Sequence, residues 1–137
     1  MGKVLVVLAV GLMLVGCAPA TLNGVRAMGP QRLYQFQAPQ NYQAVYRVIL
    51  GKVRECFEAG MITAQQVVHG DLYTDIESGT ISVELHGGLG TDIYQVIDIK
   101  AISPDMTDIK AYYSLGSVQK LGTTLKKWVL AGYKECN

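Results

Sequence analysis

The chain has few of the residues that usually carry chemistry. Its 137 residues include two histidines, three cysteines, one tryptophan and four prolines. Only 17% are charged, and 12 basic residues stand against 11 acidic ones. A nucleic-acid binder would show a clustered basic excess, and there is none. A disordered charged tail is excluded as well, because half of the residues are hydrophobic. The apolar run from Val4 to Gly16 stops short of the roughly 20 residues needed to cross a bilayer. Two histidines and two distant cysteines show no ligand spacing, so neither a metal nor a cofactor is expected. The length fits one domain.

The N-terminus is the most informative stretch. Lys3 opens it, and an uncharged apolar segment follows to Gly16. That is the pattern of an export signal, which is a targeting device and not part of the fold. Its end, Leu14-Val15-Gly16-Cys17, resembles the lipobox of bacterial lipoproteins: an aliphatic residue, a variable one, a small one, then cysteine. The resemblance covers residues 1–20. It implies that residues 1–16 are a cleaved signal peptide and that Cys17 becomes the lipidated N-terminus. Several acyl chains on one residue would make membrane attachment effectively permanent. In that family, aspartate after the cysteine favours retention in the inner membrane. Ala18 stands there instead, which points to the outer membrane with the domain facing the periplasm. Loss of Lys3 leaves 11 basic and 11 acidic residues, a net charge of zero.

With Cys17 assigned to lipid, Cys56 and Cys136 remain. An even pair in an exported chain reads as a disulfide, because the periplasm is oxidising. Closing a loop of roughly 80 residues stabilises by about 4–5 kcal/mol in the chain-entropy model.

Residues 17–32 hold Pro19, Gly24, Gly29 and Pro30 without a sustained period and read as a lipidated N-terminus and tether. The domain is expected over 33–137. Leu33 to Gln37 alternates as a short strand. Asn41 is placed to cap a helix whose apolar stripe is Tyr42, Val45, Tyr46, Ile49, Val53, Cys56 and Phe57. Gly60 is placed to end it in a left-handed conformation, and Gly51 suggests a close contact between helix and sheet. Four strands follow, near 66–76, 80–85, 92–102 and 107–115. Pro104-Asp105 marks a turn. Ser117 then caps a second helix, with Val118, Leu121, Leu125, Trp128 and Gly132 in line and Cys136 extending it. The order β-α-β-β-β-β-α predicts an α+β two-layer sandwich. An antiparallel sheet of four to five strands carries two helices on one face. The order resembles the helix-grip architecture and, more loosely, small lipoproteins of the outer membrane. That likeness rests on element order and implies no function.

No catalytic set is expected. His69 and His86 read as turn residues, and His86-Gly87-Gly88-Leu89-Gly90 as a flexible hairpin and not an oxyanion loop. Asp71, Asp75, Glu77, Asp92 and Asp98 are scattered. Tyr94, Val96 and Ile102 alternate onto the face away from the helices and form the candidate partner surface. These readings lead to a non-enzymatic scaffold or accessory lipoprotein of the cell envelope, with an envelope protein and the membrane as partners. The alternative is a carrier or sensor of a small apolar or lipid ligand held between the sheet and the C-terminal helix. An envelope hydrolase would need a nucleophile beside His69 or His86.

Overall fold

The computed structural model describes residues 19–137. The expected signal peptide over 1–16 and the expected lipidation site, Cys17, lie outside the described residues. The elements run α1 (Leu22–Arg26), β1 (Leu33–Ala38), α2 (Tyr42–Phe57), β2 (Ala59–Met61), β3 (Ala64–Tyr73), β4 (Ser78–Gly87), β5 (Gly90–Ser103), β6 (Met106–Tyr113) and α3 (Val118–Ala131). A single 3-10 turn, Pro30–Arg32, leads into β1. The class is α+β. The sheet has six strands in the order β1-β6-β5-β4-β3-β2, and every neighbouring pair is antiparallel.

The additional strand is β2. Its cause is the way α2 ends. Glu58 is extended, and the next three residues pair with Ala64 to Gln66 of β3. Gly60 therefore lies in a strand opposite Gln65 and does not form the expected left-handed helix stop. Three residues have too little periodicity to be read as a strand. Their conformation comes from the pairing.

The starts of α2 and α3 follow the sequence. The Asn41 side-chain oxygen accepts from the Gln43 amide at 2.9 Å, and the Ser117 hydroxyl accepts from the Lys120 amide at 3.3 Å. Each satisfies an amide that the first turn leaves without a partner. Gly132 closes α3 at φ 61°, a conformation that glycine adopts without a Cβ penalty. Cys136 consequently lies in the tail beyond the helix and not on its stripe.

The main core lies between α2, α3 and one face of the sheet. Val45, Ile49 and Val53 meet Ile81, Val83, Ile97 and Ile99, while Leu125 and Trp128 cover Ile109, Ala111 and Tyr113. The tail turns back over this layer. Trp128 Nε1 donates to the Glu135 carbonyl at 2.8 Å, and Cys136 bonds Cys56 across a Cα separation of 5.5 Å. That separation is within the range a disulfide requires.

The close contact of a helical glycine with the sheet is real but belongs to another residue. Gly51 has open space where a Cβ would sit. At Gly122, a Cβ would lie 2.1 Å from the Tyr34 ring, so α3 approaches β1 only because no side chain intervenes.

The opposite face of the sheet is covered in part by α1. Val25 is fully buried against Ile93 and Val96, with Leu22 and Tyr112 beside it. Arg26 grips Asp98 with two hydrogen bonds, Nε to Oδ2 at 2.7 Å and a terminal nitrogen to Oδ1 at 2.6 Å. The Thr80 hydroxyl donates to the same carboxylate at 2.9 Å. The guanidinium is held charged by this hydrogen bonding, against the opposing effect of partial burial. Pro19 is fixed as well, its carbonyl accepting from the Ile93 amide at 2.9 Å. Residues 19–32 are thus folded onto the domain. The expected tether, and a domain boundary at Leu33, do not hold for them. One buried valine in five helical residues is too short a pattern to register as periodicity.

Candidate functional site

Two bulges in β5 decide which of its side chains share a face. Opposite Val83 and Glu84 the register skips Tyr94, and near the far end it skips Ile102. An extra residue in one strand reverses the alternation beyond it. The first bulge is held by Ser114, whose amide donates to the Tyr94 carbonyl at 2.9 Å and whose hydroxyl donates to the Ile93 carbonyl at 2.6 Å. Ile93 and Val96 consequently lie together under α1. Tyr94 turns to the helix side, into an open groove of about 340 Å³ with Phe57, Leu115 and Leu121. Ile102 is 54% exposed. It sits eight residues along β5 from Tyr94, about 26 Å at strand rise. Tyr94, Val96 and Ile102 therefore do not form one surface. Strict alternation placed them together, and the bulges and α1 separate them.

The titratable groups that do converge are on β3 and β4. Both are strands, so His69 and His86 are not turn residues. Glu84 and His86 are two apart on β4 and share a face. His69 on β3 stands opposite Ser82, one diagonal step from Glu84. The outcome is a carboxylate between two imidazoles. His86 Nε2 lies 3.0 Å from Glu84 Oε2, and His69 Nε2 lies 3.6 Å from the same oxygen. One ligand atom from each of the three residues falls within 4.8 Å of the others. The rings meet edge to face at 6.1 Å between centroids.

Neighbours orient the cluster. The Ser82 hydroxyl donates to Glu84 Oε1 at 2.8 Å, which leaves Oε2 for the imidazoles. Thr91 Oγ1 lies 3.3 Å from His86 Nδ1. Thr91, His86 and Glu84 thus place a hydroxyl, an imidazole and a carboxylate in series.

Spacing concealed this cluster, since 17 residues separate the two histidines. The available signal was Glu84-Leu85-His86, two polar ligand types at strand period. Glu84 was absent from the expected site residues because nothing local links it to His69.

The described residues place the lipid-carrier alternative under a measurable constraint. The cavity between α3 and the sheet, lined by Phe57, Tyr113, Leu125 and Trp128, holds about 10 Å³. One water needs about that much, and ligand pockets run to roughly 300 Å³ or more. Among the described residues, no helix is long and apolar enough to cross a membrane.

A scan against protein-family models finds no match for this chain, and a search of curated proteins finds none either.

Proposed function

We propose that the chain is a lipid-anchored accessory protein of the bacterial envelope. It acts by contact with an envelope protein and not by catalysis, facing the periplasm from the outer membrane, with acyl chains on Cys17 as its anchor. The observation that carries this reading is the hydrogen bond that fixes Pro19 to the sheet. Pro19 is hydrogen-bonded to Ile93, near the turn that joins β4 to β5. Cys17 is two residues earlier, a reach of at most about 7 Å. A lipid there keeps this end of the sheet at the bilayer surface, with no tether to hold the domain away. The same end carries Leu89 in the β4–β5 turn and Ile62 in the β2–β3 turn, both fully exposed. Exposed aliphatic tips suit a membrane interface. A carrier role between α3 and the sheet is the weaker reading, because the enclosed cavity there holds only about 10 Å³ and the groove beside Tyr94 lies open to solvent.

Membrane attachment and orientation are both measurable. Full-length protein is expected in the membrane pellet after a high-salt wash, and Cys17→Ser is expected to release it. Spin labels introduced at Leu89→Cys and at Ile76→Cys, at opposite ends of β4, report lipid contact. The label at 89 is expected to respond to a lipid-soluble relaxant and the label at 76 to a water-soluble one. A soluble wild type would refute the anchor, and equal responses from the two labels would refute the orientation.

A further inference from the structure

We infer that His69, Glu84 and His86 form a binding site for one divalent transition-metal ion of the zinc and copper class. The ligands are His69 Nε2, His86 Nε2 and Glu84 Oε2.

The distances carry the argument. Zinc binds imidazole nitrogen at about 2.0–2.1 Å and carboxylate oxygen at about 2.0–2.2 Å, usually as a tetrahedron. In a tetrahedron with bonds near 2.05 Å, neighbouring ligand atoms are about 3.3 Å apart. The two nitrogen–oxygen separations here are 3.0 and 3.6 Å, on either side of that value. The three ligand atoms lie within 4.8 Å of one another, and rotation of the exposed His69 side chain would close the remaining gap. Donor type agrees with geometry. Two imidazoles and one carboxylate suit zinc, copper and nickel, whereas calcium and magnesium take oxygen ligands.

The surroundings agree too. The ligands stand on β3 and β4, which pair through ten residue positions, so their backbones are fixed before any ion arrives. Metal-bound histidine usually donates its other ring N–H to an oxygen, and bound carboxylates are themselves hydrogen-bonded. Thr91 stands beside His86 Nδ1, and Ser82 holds the second oxygen of Glu84. With the His86 proton on Nδ1 toward Thr91, the Nε2 lone pair faces the cluster. Glu84 is 15% exposed, His69 54% and His86 42%. The carboxylate is thus at the base of the site and the imidazoles at its mouth, which gives an ion a way in. Three protein ligands leave a fourth position for water or for a donor from a partner. Cys56 and Cys136 are bonded to each other and do not compete for the ion.

The test is a zinc titration of the full-length protein in detergent, followed by calorimetry, with the disulfide kept intact. One ion per chain is expected at micromolar or tighter affinity. His69→Ala, His86→Ala and Glu84→Gln should each weaken binding at least tenfold. None of the three belongs to either buried hydrophobic cluster, and folding of each variant is checked by the fluorescence of Trp128. X-ray absorption of the zinc complex should show two imidazoles in the first coordination sphere. Binding weaker than the micromolar range, or full affinity in any one of the three variants, would overturn the site. So would a coordination sphere lacking imidazole.

Discussion

One substitution made at two positions separates local preference from tertiary packing. Gly51 and Gly122 both sit inside helices, in α2 and α3. Glycine in a helix interior costs about 1 kcal/mol relative to alanine. At Gly51 an added Cβ meets nothing within 4 Å, so Gly51→Ala should gain that full amount. For a domain of this size the melting temperature should rise by about 4 °C. At Gly122 the same Cβ would fall 2.1, 2.3 and 2.6 Å from three atoms of the Tyr34 ring. Ordinary contact requires roughly 3.7 Å, so ring and helix must separate by about 1.5 Å. Tyr34 has little freedom to yield, being packed against the core and set edge-on to Phe36 at 6.2 Å between centroids. Overpacking of this kind costs typically 1–3 kcal/mol, and the rigid neighbours put Gly122→Ala toward the upper end. After the propensity gain, the net loss is about 1–2 kcal/mol. Urea unfolding followed through Trp128 measures both variants on one scale. A Gly122→Ala protein as stable as wild type would refute the reasoning, since it would mean that α3 and β1 do not meet as described.

Two further predictions concern the core. Reducing the Cys56–Cys136 bond, or replacing both cysteines by serine, should cost about 2–5 kcal/mol, because it frees a long loop in the unfolded chain. An unchanged urea midpoint under reductant would show that the bond does not constrain the unfolded state. Burial, with a smaller effect from Tyr34, pushes the Tyr113 phenol upward, and burial followed by Asp71 does the same for Tyr46. In both cases the folded state keeps a proton that the unfolded chain releases. Stability is therefore complete below the ordinary tyrosine value of about 10 and declines as pH rises above it. Tyr113→Phe should move alkaline unfolding to higher pH, and an unmoved transition would remove Tyr113 as its cause.

The sequence by itself determined whatever depends on local chemistry. Helix starts at Asn41 and Ser117 follow from side-chain oxygens that reach nearby amides. The apolar stripe of α2 follows from helical periodicity, and the α+β class follows from element order. Pairing of Cys56 with Cys136 was legible once Cys17 was set aside for lipid and the chain read as exported. Tertiary structure decided what depends on register and approach. The bulges at Tyr94 and Ile102 cannot be read from alternation, because one unpaired residue inverts every side chain after it. Docking of α1 depends on a groove formed by residues some 70 positions away, as the pair of Arg26 with Asp98 shows. The cluster of His69, Glu84 and His86 exists only because β3 pairs with β4 in one register. A shift of one residue would turn His69 toward the helices, and the carboxylate would lose one of its two imidazoles.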